Sequence, residues 1–134
     1  MSESAAGTVR EFYGFFTAGK VDEIVARLAD DFVLTNPLPD PIPFGGRYEG
    51  AAGFLEYLQG IFAALEMEEF VVEEVLGAGH RAAVIGRERS RVKATDRRYA
   101  MEWVHVLEVA EGKIRSLREY NDTAAMRDAF ESAR

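Results

Sequence analysis

His105, Glu119 and Asn36 are the side chains whose types and placement suit acid–base chemistry. His105 stands in the middle of residues 99–109, which alternate strictly. Tyr99, Met101, Trp103, His105, Leu107 and Val109 fall on one face, and Glu102 and Glu108 on the other with Ala100, Val104 and Val106. A strand with this pattern buries the first face, and the imidazole with it. Ala110, Glu111 and Gly112 suit a three-residue hairpin loop in which Gly112 takes a positive φ. That loop pairs Val109 with Lys113, Leu107 with Arg115, His105 with Leu117 and Trp103 with Glu119. Leu117, Glu119 and Asn121 then share the face of His105, with Glu119 its diagonal neighbour at about 7–8 Å between backbones. A carboxylate and an imidazole on one apolar face cost free energy unless they are paired or used. Burial also raises a carboxyl pKa towards the range useful for proton transfer.

Each of these residues also has a plainer reading. His105 could be a hydrogen-bonded core histidine, and Glu119 half of an ion pair with an arginine such as Arg87. Asn36 precedes Pro37 and could simply shape a loop. Asp122 is expected to be a helix N-cap rather than a catalyst. Arg87 could polarise a substrate oxygen, or face solvent if its strand has the other register.

The elements that must position these residues are legible from periodicity. Thr8 and Glu11 have the spacing of a capping box, and Val9, Phe12, Tyr13 and Phe16 then follow at helical spacing up to Gly19. A short second helix is expected over 21–29, then a strand over 31–36. All four prolines fall at 37, 39, 41 and 43, which forbids helix or central strand and predicts an extended loop. Residues 44–50 read as a tight turn. Phe54, Tyr57, Leu58, Ile61, Phe62 and Leu65 form the apolar stripe of a third helix over 51–65. Strands follow over 69–76 and 81–92, then the terminal hairpin and a last helix from Asp122 or Thr123 to about Ser132. Helices followed by an antiparallel sheet define an α+β domain. A strongly curved sheet of this kind wraps around the third helix and leaves a conical pocket.

Composition narrows the classes. One domain is expected over residues 1–134, with its core over about 8–131. Hydrophobic residues make up 48% of the chain, and nine phenylalanines, five tyrosines and one tryptophan are ample for a core. The absence of cysteine excludes disulfides and thiolate chemistry. The two histidines lack metal-ligand spacing, so neither a metal nor another cofactor is expected. The net charge of −7 argues against nucleic acid as a partner. With no signal-peptide pattern and no long apolar run, a cytoplasmic protein without membrane attachment is expected. Seven basic residues between Arg81 and Arg98 follow Glu66, Glu68, Glu69, Glu73 and Glu74, which predicts two neighbouring strands with oppositely charged solvent faces.

The stretches ADDFVLTNPLP, PFGGRYEGAAGFLEYL and VLEVAEGKIRSLREYNDTAAM, in this order, resemble the nuclear transport factor 2-like superfamily and its SnoaL-like branch. The resemblance implies a cone-shaped curved sheet wrapped around helices, the cystatin-like α+β barrel. It implies a cofactor-independent enzyme of the polyketide cyclase or ketosteroid isomerase type, acting on a small, apolar, oxygen-bearing substrate. Glu119 would remove a proton next to a carbonyl, His105 would tune or relay it, and Asn36 would donate to the enolate oxygen. Tyr13, Phe16, Phe44, Tyr57, Arg87, Met101, Trp103, Leu117 and Asn121 would contact substrate. Asn36 and Arg118-Glu119-Tyr120 are also similar to motifs of limonene-epoxide hydrolases, in which Glu119 would activate water. Their Arg-x-Asp motif stands here as Arg87-Glu88-Arg89, without the second carboxylate, and Asn36 replaces the carboxylate base of ketosteroid isomerases. The superfamily further implies a homodimer, formed through the outer sheet face with Val104 and Val106, and allows a non-catalytic ligand-binding module.

Overall fold

In the computed structural model, which describes residues 5–131, helix α1 (Ala5–Thr17) buries Val9, Phe12 and Tyr13 on one face. The chain is already helical at Ala5, the first described residue, so the expected capping box does not form. Thr8 lies inside the helix with its hydroxyl buried and unpartnered, and Glu11 instead binds the Arg27 guanidinium. Burial of Ala5 and the packing of Ala6 against Gly77 carry the helix upstream of Thr8. Gly19 ends the helical run as its position predicts. Its φ is +72°, and the Gly19 and Lys20 amides donate to Phe16 and Phe15 in a Schellman closure.

Helix α2 (Val21–Ala26) stops earlier than its apolar spacing suggests. Leu28 is drawn into β1 (Leu28–Asn36) by pairing with Ile114. The proline-rich segment 37–43 is neither helix nor strand. The expected turn that follows contains a short edge strand instead, β2 (Gly46–Glu49), antiparallel to β1. Four residues are too few for period-two alternation to reveal.

Helix α3 (Gly50–Ala64) presents Phe54, Tyr57, Leu58 and Ile61 to the core, while Phe62 is 48% exposed. Strand β3 (Leu65–Ala78) runs longer than expected, and β4 (Arg81–Val92) spans the expected residues. Strands β5 (Arg98–Ala110) and β6 (Lys113–Asn121) form the terminal hairpin. Asp122 caps α4 (Thr123–Phe130) by accepting from the Ala125 amide at 3.1 Å. The expected end of this helix near Ser132 lies outside the described residues.

The six strands form one curved sheet in the order β2-β1-β6-β5-β4-β3. The α+β architecture is as the sequence predicts, with two differences of detail. The sheet is open, with β2 and β3 at its edges, so no barrel closes. Its β1–β6 pair is parallel, because the connection through α3 and the long strands brings β6 alongside β1 from the same end. The concave face packs against α1 and α3, and the core lies between them. On the convex face the oppositely charged strands meet as expected. Arg87 pairs with Glu69 and Glu73, Arg89 with Glu68, and Arg91 with Glu66. Among the described residues no helix is long and apolar enough to cross a membrane.

Candidate active site

The hairpin turn fixes the register of the site. Glu111 and Gly112 both have positive φ, at 54° and 74°, so the loop has two residues and not three. Ala110 therefore faces Lys113, and a bulge beyond Val109–Ile114 leaves Arg115 unpaired on β6. The two deviations together move the expected pairing by two residues. His105 lies directly opposite Glu119, Leu107 opposite Leu117, and Trp103 opposite Asn121. A two-residue shift preserves which face each side chain occupies, so the expected grouping of Leu117, Glu119 and Asn121 with His105 survives.

Three further elements close on this pair. Strand β1 lies beside β6 and ends at Asn36, whose side chain meets Glu119. Helix α3 supplies Tyr57, and α1 supplies Tyr13. Glu119 Oε1 accepts from Tyr57 O–H at 2.7 Å and from Asn36 Nδ2 at 3.1 Å. Asn36 Nδ2 also donates to the Tyr57 hydroxyl at 3.0 Å, and Asn36 Oδ1 accepts from Asn121 Nδ2 at 3.1 Å. Asn36 thus positions Glu119, and its two acceptors lie 2.7 Å apart in nearly one direction from Nδ2, so they do not occupy both amide hydrogens.

His105 Nδ1 and the Tyr13 hydroxyl are 2.5 Å apart, and His105 Nε2 is 3.5 Å from Glu119 Oε1. With the Tyr13 hydroxyl donating to Nδ1, the imidazole proton sits on Nε2, facing the carboxyl group. Trp103 stacks on the imidazole at 4.1 Å between ring centroids, and Phe70 stacks on Trp103 at 4.9 Å. The indole lies flat on Gly86, where a Cβ would come within 2.2 Å of it.

Burial sets the protonation states. It pushes the Glu119 carboxyl up to about 8, an effect the Tyr57 hydrogen bond opposes and the charge of Glu88 augments. It pulls His105 down to about 3, so the imidazole is neutral. Tyr13 and Tyr57 are raised by burial and by Glu119, and stay protonated. No arginine or lysine lines this site among the described residues, so Glu119 carries no cationic partner.

The site opens into a largely apolar cavity. Tyr13, Phe16, Phe44, Tyr57, Met101, Leu117 and Asn121 line it, together with Asn36, His105 and Glu119. Two residues expected to contact substrate are elsewhere. Arg87 sits on the convex face between Glu69 and Glu73, because odd-numbered positions of β4 point outward. Trp103 is buried behind His105 and is not part of the cavity wall.

Glu88 was not among the expected site residues, yet it is a second buried carboxylate in the cavity wall. Ser90 and Tyr99 donate to its Oε2 at 2.8 and 2.6 Å. Burial raises its pKa, and the two hydrogen bonds hold the rise back. The signal for it was in the sequence: arginines recur at 81, 87, 89 and 91, so the even positions carrying Val84, Glu88 and Val92 had to face inward. Among the described residues no His, Asp and Glu side chains converge as a metal-ligand set.

This architecture and the matched sequence define the family. The chain belongs to the SnoaL-like domain family, which matches residues 9–117. An NTF2-like protein from Burkholderia xenovorans LB400 is 27% identical with a TM-score of 0.86, each chain covering 98% of the other. An NTF2-like protein of unknown function from Burkholderia pseudomallei K96243 is 26% identical with a TM-score of 0.84, over 97% of this chain and 100% of that one. TerC, co-crystallised with polyporic acid, shares the fold at 21% identity and a TM-score of 0.82, over 96% of this chain and 98% of that one. Among proteins of curated function, none matches the sequence significantly.

Proposed function

We propose that this protein is a cofactor-independent enzyme of cyclase or isomerase type, which removes a proton from a carbon next to a carbonyl. One observation carries the reading. Glu119 is a buried carboxyl group with no cationic partner, held by Tyr57 and Asn36 through one oxygen, at the wall of an apolar cavity. Its other oxygen, Oε2, accepts from no group among the described residues and is the base. The developing enolate oxygen is met by the Nε2–H of neutral His105, whose 3.5 Å contact with Glu119 is too long to commit that donor. Tyr13 fixes the imidazole tautomer from the other side. Returning the proton at another carbon completes an isomerisation; attack of the enolate carbon on a second carbonyl of the same molecule closes a ring, with the proton from Glu119 delivered to the new alkoxide. Membership of the SnoaL-like family and the co-crystallisation of TerC, of the same fold, with polyporic acid support a substrate of this kind.

The test is deuterium exchange into the α-position of a flat apolar ketone such as 1-tetralone. The protein should accelerate it, and Glu119→Gln should remove the acceleration. Failure to exchange any of a panel of such ketones sinks the reading. Water-derived oxygen in a diol formed from an epoxide would favour epoxide opening instead. For that alternative Arg87 or another donor would protonate the epoxide oxygen, and Arg87 lies on the convex face. Homodimerisation belongs to the same proposal: Ile85, Val104 and Tyr120 adjoin on the convex face, and sedimentation of Val104→Glu beside the parent chain tests it.

A further inference from the structure

Proton abstraction at Glu119 makes no use of Glu88, although the two carboxylates share one cavity. Their backbone positions in the sheet are set apart. Glu88 pairs with Met101 and Glu119 with His105, so they are offset by four residues along β5, about 13 Å, and lie on opposite sides of that strand. Glu88 repeats the design of Glu119. One oxygen is saturated by protein donors, here Ser90 and Tyr99, and the other accepts from no group among the described residues. In register on either side of it are Phe70 and Met101, both part of the cavity wall. A carboxylate is a poor structural choice for this place, since an amide would accept the same two hydrogen bonds without a buried charge to desolvate.

We infer that Glu88 Oε1 is a recognition site for a phenolic or enolic hydroxyl, carried by the substrate at the end remote from the carbon that Glu119 deprotonates. A hydroxyl brings one donor to one free acceptor. An ammonium would bring three, and leave N–H groups unpaired among Phe70, Met67 and Met101. The aromatic wall suits a flat ring behind that hydroxyl. The assignment of the remote end rests on the proposed function; the hydroxyl site itself does not.

The test compares binding of 2-naphthol and 2-methoxynaphthalene by calorimetry. Neither compound has a ketone, so the comparison needs no turnover. The parent protein should bind the phenol about tenfold more tightly than its ether. Glu88→Gln should abolish or reverse that preference, because its amide oxygen takes the bonds from Ser90 and Tyr99 and its NH₂ turns to the cavity. Glu88→Asp, which withdraws the carboxylate by one methylene, should also reduce it and serves if the glutamine variant misfolds. Glu119→Gln should keep it. A parent protein without the preference, a preference lost in Glu119→Gln but kept in Glu88→Gln, or no binding of either compound overturns the inference. Deuterium exchange into 1-tetralone, read on the same preparations, separates the two ideas. Exchange without phenol preference removes only the Glu88 site, and phenol preference without exchange removes only the Glu119 chemistry.

Discussion

Arg87 and Glu88 are adjacent in sequence and lie on opposite faces of one strand, and the two faces treat glutamate in opposite ways. On the convex face of β3 and β4, Glu66, Glu68, Glu69 and Glu73 each sit within 3.6 Å of an arginine nitrogen. These carboxylates are at least partly in water, so the pairs contribute little, and the surface would tolerate their loss. On the concave face Glu88 and Glu119 have lost their water and received no cation, only hydroxyl and amide donors. Hydrogen bonds from neutral groups hold a carboxyl in place without discharging it, and its pKa rises. The same side chain is therefore an ion-paired, solvated group outside and a buried carboxyl with a raised pKa inside. The face of the strand that carries it decides which it becomes.

The largest effect expected from this difference is catalytic. Glu119→Gln keeps the shape and the acceptor for Tyr57 but cannot take a proton. It should lower deuterium exchange into an enolisable ketone by about 10³-fold, within the range for losing a general base. A residual rate near that of the parent would place the base elsewhere. Exchange by the parent should rise with pH through a midpoint of about 8, since only ionised Glu119 accepts a proton. A flat profile from pH 6 to 9 would deny Glu119 that role.

The second effect is on stability. Glu119 has a pKa of about 8 in the folded protein against an ordinary value of 4.5, so the native state holds its proton more tightly than the unfolded chain. Stability from this group is full below about pH 4.5 and is lost as pH rises through 8, by up to about 1.4 kcal/mol per unit. His105, pulled down from 6.5 to about 3, works in the other direction and costs stability as pH falls below 6.5. Between about 6.5 and 8 the histidine slope is gone, and the loss from Glu119 remains. Glu119→Gln should therefore melt above the parent at pH 9, with the gap closing towards pH 5. Tyr57→Phe should move the exchange midpoint upward, because the hydroxyl now favours the ionised form.

What the sequence disclosed follows the same division. Period-two alternation over 99–109 named the inward face of β5 correctly, and with it His105, because alternation is a property of the strand itself. The partner of His105 was not legible to the residue. It depended on a two-residue turn with Glu111 at positive φ and on a bulge at Arg115, and neither leaves a pattern in composition. Tyr13 and Tyr57 were expected in the wall, but their bonds to His105 and Glu119 depend on how α1 and α3 seat on the sheet. Asn36 was legible as a polar strand end; its bonds to Tyr57, Glu119 and Asn121 were not. The register of Arg87 was open between cavity and solvent, although the arginine spacing at 81, 87, 89 and 91 carried the answer for it and for Glu88.

Arg87 gives the smallest and most discriminating prediction. Its guanidinium binds Glu69 and Glu73 in solvent, on the face opposite the cavity. Arg87→Ala should leave the exchange rate and its pH midpoint unchanged and move Tm by no more than about 2 °C. Glu88, one residue further on, should respond differently when changed to Gln, through the binding of hydroxylated ligands. If Arg87→Ala slowed exchange severalfold, the two faces would be coupled through the backbone of β4, and outward charge would be tuning inward carboxylates. If both substitutions were silent, the inward face of β4 would be a wall and no more, and the chemistry would belong to β5, β6 and the helices alone.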